Sequence, residues 1–228
     1  MPVSRIREVA NESMGLDDII PLWFGEPDVS TPEIICDAAV QALAQGETFY
    51  TPNRGVPALR EAISKYTESL YGIDVSMERI TVTASGMSGM MLAHQLLVEP
   101  GASIVCPIPQ WPNVRGTVDV LGGHFKTVPL RFTGDDWKLD LDELFDAVDE
   151  STRIIFINSP GNPTGWIMPG EQQESVLNFC RERDLWLVAD EVYARIVYGM
   201  AHAPSFLEYA DADDRLIVVN SFSKPWAM

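Results

Sequence analysis

Arg153-Ile154-Ile155-Phe156-Ile157-Asn158, then Glu171 to Arg183, then Leu185-Trp186-Leu187-Val188-Ala189-Asp190 is the stretch that decides the fold. The two apolar runs are short and apolar at consecutive positions. That pattern reads as a strand with both faces buried, not one alternating between core and water. Glu171 to Arg183 has the mixed pattern of a surface helix. Strand, helix, strand in that order means a parallel pair with the helix crossing over one face of the sheet.

The same alternation extends in both directions. Upstream, Ile80 to Ala84 is apolar and β-branched, and a helix is expected to start at Ser85-Gly86. Ser103 to Cys106 reads as a strand, Val114 to Leu121 as a helix and Phe125 to Leu130 as a strand. Asp140 with Glu143 three residues on is a capping-box start for a helix to Val148. Downstream, Leu216 to Asn220 is the last strand. Residues 1 to 30 read as an extended arm. A helix over Thr31 to Gln45, with Pro32 at its first position, carries Ile34, Ile35, Ala38, Ala39 and Ala42 at helical spacing. Ala58 to Tyr71 is another helix. The expected fold is α/β, a three-layer α-β-α arrangement around a mostly parallel sheet.

Bulk composition narrows the function. At 228 residues, 46% of them hydrophobic and 21% charged, the chain has the makeup of a globular domain with a full core. Sixteen basic against 33 acidic side chains leave a net charge of −17, which argues against nucleic acid or an anionic membrane as partner. Cys36, Cys106 and Cys180 are scattered, with no Cys-x-x-Cys, and read as reduced thiols of a cytoplasmic protein. Met1 to Asn11 lacks the apolar stretch of a signal peptide, and no run is long enough to span a bilayer. His94, His124 and His202 are spread too widely to suggest a metal site. Phosphate-loop, dinucleotide and zinc-helix motifs are absent from the sequence.

In a parallel sheet, ligands bind beyond the carboxyl ends of the strands. Three chemically capable residues fall there. Lys224 closes Ser221-Phe222-Ser223-Lys224 after the last strand, Asp190 ends another, and Asn162 lies in the Asn162-Pro163-Thr164-Gly165 loop after a third. Each has an ordinary reading: surface lysine, helix N-cap, turn residue. Together they are what a pyridoxal phosphate site needs: an amine for the aldimine, a carboxylate for the ring nitrogen and an amide for the ring phenolate. Tyr193, one helical turn after Asp190, can reach the same ring. Ser85-Gly86-Met87 opens a helix after a strand, which suits a phosphate, although Met87, Met90 and Met91 suit the core equally. Trp111, in Ile108-Pro109-Gln110-Trp111-Pro112-Asn113, either fills the core or stacks on a flat ring. Asn162-Pro163 is a candidate cis bond.

These residues carry a resemblance. Gly25-Glu26-Pro27-Asp28, Tyr50-Thr51-Pro52-Asn53-Arg54-Gly55 with Leu59-Arg60, Asn162-Pro163-Thr164-Gly165, Asp190-Glu191-Val192-Tyr193 and Ser221-Phe222-Ser223-Lys224 occur in one order. In that order the chain resembles, over essentially its whole length, the fold-type I, pyridoxal phosphate-dependent aminotransferases of classes I and II, aspartate aminotransferase-like. The resemblance implies Lys224 as the aldimine lysine, Asp190 as the pyridinium partner, and Asn162 and Tyr193 on the phenolic oxygen. It implies Ser85, Gly86, Met87, Ser221 and Ser223 around the phosphate, with Met87 giving only its backbone amide. Trp111 would stack on the ring, with Gly25, Trp111 and Asn162 facing the substrate. Tyr50 would reach the cofactor of a neighbouring subunit in a homodimer.

Residues 1–45 would then be the arm and first helix, and 46–228 the cofactor-binding large domain. The family's later arginines and C-terminal small domain lie outside this sequence, so the 228-residue chain alone is expected to be inactive. The reaction expected is transfer of an amino group from an amino acid to a 2-oxo acid. The alternatives are a carbon–sulfur β-lyase or another enzyme of the same fold, because cofactor ligands do not set reaction type. A non-catalytic ligand-sensing domain is disfavoured by the absence of a basic helix-turn-helix in this sequence and by the charge. The 201–214 segment is expected to border the pocket.

Overall fold

A computed structural model describes residues 4–228. Five strands, β1 (Ser103–Ile108), β2 (His124–Pro129), β5 (Thr152–Asn158), β6 (Trp186–Asp190) and β7 (Leu216–Val219), form one sheet in the order β2-β1-β5-β6-β7, every pair parallel. Between β2 and β5 lie a short antiparallel pair, β3 (Arg131–Phe132) and β4 (Trp137–Lys138), which the sequence pattern did not announce. The helices are α1 (Arg5–Ser13), α2 (Glu33–Ala44), α3 (Pro57–Tyr71), α4 (Gly86–Leu97), α5 (Asn113–Val120), α6 (Leu141–Asp146) and α7 (Gly170–Arg183).

The consecutive apolar residues of the strands sort by parity onto two faces. Ile154 and Phe156 of β5 join Ile104, Cys106, Val188 and Val219 in a cluster with Met90 of α4 and with Val114 and Val118 of α5. Ile155 and Ile157 face the other way, with Val105, Leu187 and Ala189, against Leu144 of α6 and Val176, Leu177 and Cys180 of α7. The result is helix, sheet, helix, as the alternation of periods required. Cys106 and Cys180 are buried thiols, while Cys36 is exposed.

Several expectations need correction. Ile80 to Ala84 forms no strand: among the described residues its backbone bonds are Ile80 N–H to the Met77 carbonyl, Val82 N–H to the Arg54 carbonyl and Arg60 Nε to the Ile80 carbonyl, and no strand pairs with it. β propensity supplies no neighbour, and here the Arg54-Gly55 loop lies alongside, too close to Val82 for any Cβ at residue 55. The arm is not extended throughout, because Arg5–Ser13 is helical. Ser4 caps it by accepting from Arg7 N–H, and Arg5 pairs with Glu8 one turn on. Met1 to Val3 lie outside the described residues.

Pro32 precedes α2 instead of opening it, and none of that helix's residues is buried, so its apolar periodicity is real but uncovered. Asp140 caps α6 by accepting from Asp142 and Glu143 N–H, but the reciprocal half of the box is missing because Glu143 forks onto Arg131 at 2.6 and 2.8 Å. Among the described residues no helix is long and apolar enough to cross a membrane, and no His, Cys, Asp or Glu cluster could hold a metal ion.

Leu187 is fully buried on the middle strand of the β5-β6-β7 trio, so Leu187→Ala is expected to cost about 2–5 kcal/mol of unfolding free energy. Leu96→Ala, at a residue that is 81% exposed, is expected to change it by less than about 0.5 kcal/mol. Urea unfolding of both variants, followed by far-UV circular dichroism, makes the comparison.

Candidate functional site

β5, β6 and β7 end side by side, with Asn158, Asp190 and Val219 in register. Beyond those ends the chain places Asn162, Tyr193 and Lys224. Asn158 fixes the first of these loops: its Nδ2 donates to the Asp190 carbonyl at 3.1 Å and its Oδ1 accepts Asn162 N–H at 2.8 Å. The loop is closed further by Gly161 N–H to the Trp166 carbonyl and by Met168 N–H to Ser159 Oγ, both 2.8 Å. Ile108–Pro109, Ser159–Pro160 and Asn162–Pro163 are cis. Asn158 carries no role in the sequence reading, although a polar residue ending an otherwise apolar strand is the signal that marks it.

Asp190 is the last residue of β6 and is buried. Its Oδ1 accepts Val192 N–H at 3.2 Å, and among the described residues its Oδ2 accepts nothing. Burial pushes its carboxyl up to about 6, against the opposing pull of that N–H and of the Lys224 charge. Glu191 beside it is more deeply buried and is pushed up to about 7, again by burial first, although Ser205 and Phe206 both donate to it. Tyr193 is half-buried, and its hydroxyl accepts from Asn162 Nδ2 across 3.4 Å, a long contact. Burial also raises its phenol.

The N-terminal arm completes this end of the sheet. Lys224 Nζ donates to the Gly25 carbonyl and lies 5.6 Å from the centre of the Tyr193 ring, within cation–π range. A Cβ on Gly25 would stand 2.8 Å from the Tyr193 hydroxyl and 3.5 Å from Asn162 Nδ2, so only glycine fits between them. A second arm contact, Thr31 Oγ1 to the Ala227 carbonyl, ties the arm to the segment after Lys224.

The structure brings the expected phosphate residues together at the neighbouring corner. Ser85 caps α4, accepting Ser88 N–H at 3.0 Å, so the first-turn amides of Gly86 and Met87 have no partner within the helix. A Cβ on Gly86 would touch Ser221 Cβ at 3.5 Å. Ser221 Oγ donates to Ser223 Oγ at 3.0 Å and accepts Ser223 N–H at 3.1 Å. Trp111 sits at the rim of the α4–α5 cluster, half-buried, and Met90 is the buried methionine of its trio. Tyr50 is fully exposed and touches none of these residues. The next residue group was not anticipated: Tyr66, Arg195, Ile196, Pro225 and Trp226 line a cavity of about 260 Å³ beside Lys224.

The donor set can be tested against the cofactor implied by the resemblance. A pyridinium N–H needs an acceptor, and Asp190 offers an unused carboxylate oxygen. A ring phenolate needs donors, and Asn162 Nδ2 and the Tyr193 hydroxyl stand together. A phosphate needs N–H and O–H donors, and one corner offers the first-turn amides of α4 and the hydroxyls of the Ser221–Ser223 turn, that of Ser221 on letting go of Ser223 Oγ. The residues fit pyridoxal phosphate.

Comparison with known proteins agrees with this geometry. The family model for aminotransferase class I and II matches residues 17–228. The chain is 35% identical to an aspartate aminotransferase of Pyrococcus horikoshii over 225 residues, which are 99% of this chain and 57% of that protein. It is 33% identical to an aromatic-amino-acid aminotransferase of Thermococcus litoralis, covering 99% and 58%. The crystal structure of an aspartate aminotransferase from Thermotoga maritima superimposes with a TM-score of 0.92 at 31% identity, over 100% of this chain and 61% of that one. The chain thus spans little more than half the length of the relatives it matches. The family model over residues 17–228, with relatives 33–35% identical over nearly the whole chain, shows that this chain belongs to the class I and II aminotransferases.

Proposed function

We propose that the chain, residues 46–228 above all, forms the cofactor-binding part of a pyridoxal phosphate-dependent aminotransferase. Such an enzyme moves an amino group from an amino acid to a 2-oxo acid. The observation that carries this reading is the convergence of Lys224, Asp190 and the Asn162–Tyr193 pair beyond three adjacent strand ends. Bound there, pyridoxal phosphate supplies a carbonyl with which an amine can condense and a ring that draws electrons from the carbon bearing that amine.

The chain's own residues then have distinct tasks. Lys224 is the amine, half-buried beside the Tyr193 ring, and serves in turn as nucleophile and as carrier of a proton to and from the substrate α-carbon. Asp190 holds the proton on the ring nitrogen, and its poverty in other donors favours that partner. Asn162 and Tyr193 hold the phenolic oxygen, and Ser85, Gly86, Met87, Ser221 and Ser223 the phosphate. The Gly25 carbonyl holds the Lys224 amine while no cofactor is bound, and Gly25, Trp111 and Asn162 line the substrate side. Tyr50, exposed together with Phe49, is assigned to the cofactor of a second copy, which makes the working form a homodimer. The exposed thiol of Cys36 suits the reducing cytoplasm.

Three outcomes are expected. Pyridoxal phosphate added to the chain should give a visible absorption band that borohydride fixes to the peptide containing Lys224. Lys224→Ala should lose both the band and the label, and an unchanged spectrum would sink the assignment.

The second concerns pH. Because burial raises Asp190 to about 6 from an unfolded value of 3.8, the cofactor-free chain binds more protons folded than unfolded between those values. The contribution of Asp190 to stability is therefore complete below pH 4 and is lost as pH rises through about 6. A cationic partner reverses this, so the rise in Tm on adding cofactor should grow from pH 5 to 7 and stay flat in Asp190→Asn.

Third, the matched relatives are named for aspartate and aromatic amino acids, so these donors with 2-oxoglutarate are the assay of choice. Assayed on the whole protein that contains these residues, glutamate should form, whereas the 228-residue chain, which spans little more than half the length of the matched relatives, should show no appreciable turnover alone. Pyruvate released from cystathionine without an acceptor would instead mark a lyase.

A further inference from the structure

Glu191 follows Asp190 directly, yet none of the tasks above uses it. It is 2% exposed and makes no ion pair with any Lys or Arg among the described residues. A carboxylate in such a place is costly unless its oxygens are satisfied. Both are. Oε2 accepts the Ser205 hydroxyl at 2.7 Å, and Oε1 accepts Phe206 N–H at 2.9 Å.

The backbone around Glu191 is tied in the same way. Glu191 N–H donates to the Val219 carbonyl at 2.9 Å, joining the ends of β6 and β7. Ala194 N–H donates to the Glu191 carbonyl at 3.0 Å, closing the turn that carries Tyr193. Ala203 N–H donates to the Ala194 carbonyl at 2.8 Å, so the 203–206 segment is held to that turn at both of its ends. Ser205 N–H also bonds Glu208 at 2.7 Å, which makes the far partner a rigid capped turn and not a loose loop. One buried side chain thus fastens the Tyr193 turn to a rigid element fourteen residues away.

We propose that Glu191 is a positioning residue for the cofactor: its two hydrogen bonds to Ser205 and Phe206 hold the 190–194 turn so that Asp190 and Tyr193 address one ring. The inference rests on the pyridoxal phosphate reading. It adds that the aim of both ligands depends on a latch behind them. Functional constellations tolerate little looseness, and groups behind the contacting residues set their orientation.

The test uses the 228-residue chain with pyridoxal phosphate, comparing Glu191→Ala, Glu191→Gln and Ser205→Ala with the parent. The readouts are cofactor affinity, the visible circular dichroism per bound cofactor and Tm. Loss of a purely structural contact lowers Tm but leaves the dichroism per bound cofactor unchanged. Glu191→Ala and Ser205→Ala are expected to bind cofactor about tenfold or more weakly, as befits a lost bond to a charged group, and to lose visible dichroism per bound molecule. Glu191→Gln keeps one acceptor for Phe206 and one donor for the Ser205 hydroxyl, so it should stay close to the parent in both.

If Glu191→Ala does not fold, Ser205→Ala, which trims one hydroxyl, decides the matter. Parental affinity and dichroism in the folded alanine variants, or a glutamine variant as damaged as the alanine one, overturns the latch. A parent chain that shows no visible band at all brings down the cofactor reading instead, and the latch with it.

Discussion

An incompletely satisfied carboxylate at the buried end of a central strand is the constraint on which the rest of this site depends. Asp190 lies between Asn158 and Val219 in register, with its backbone carbonyl already taken by Ser159 N–H and Asn158 Nδ2. Its side chain receives one N–H, from Val192. Ionising it there is unfavourable without a cation, and Lys224, the cation near enough to weigh on it, is held by the Gly25 carbonyl. In the proposed reading a protonated ring nitrogen would supply the partner the protein withholds. The requirement also explains why the surrounding loops are so heavily tied down, since a group that needs one specific partner is useful only if it stays where that partner binds.

Parallel strand geometry makes this economical. Every strand of the sheet points the same way, so all carboxyl ends open on one edge, and each following segment leaves the core there. Asn162, Tyr193 and Lys224 come from segments distant in sequence, yet each follows its own strand by only a few residues. Short tethers to a rigid sheet leave little room for error. Where the tether is longer, as at Lys224, an arm contact compensates: Gly25 meets the amine, and Thr31 meets the Ala227 carbonyl.

What the sequence revealed and what it hid divide along the same physical line. The placement of Asp190, Asn162 and Lys224 at one edge of the sheet was legible because each closes or follows an apolar run, and parallel strands turn all their carboxyl ends to one edge. The helix over 170–183 and the two-faced burial of β5 were legible for the same reason, since periodicity reports burial directly. Relations between distant segments were not. Glu191 looks like any acid after a strand until Ser205 and Phe206 are seen to close on it. Ile80 to Ala84 has strand composition, but composition cannot provide a neighbouring ladder. The apolar spacing of α2 was read correctly, while its lack of any buried residue depends on what packs against it. Helix α1 was missed although Ile6, Val9 and Ala10 stand at helical spacing, because that stripe is short and the segment around it is polar.

The strongly acidic balance of the chain, −17, makes the handling of an anionic cofactor a local problem. Global charge acts over distances that salt screens within about a Debye length, whereas backbone amides and hydroxyls act at contact. At the corner between α4 and β7 the chain presents the unpaired first-turn amides of Gly86 and Met87 and the hydroxyls of Ser221 and Ser223. Gly86 lies beside Ser221, where a Cβ would stand 3.5 Å from the serine Cβ in ordinary van der Waals contact. None of these donors is an ionisable side chain, so under the proposed assignment the phosphate would be held by contacts that do not depend on pH. Under the same assignment neutral donors would serve the phosphate, and Asp190 and Lys224 the ring. A change of pH would then act on Asp190, at the ring, and leave the phosphate's donors unchanged.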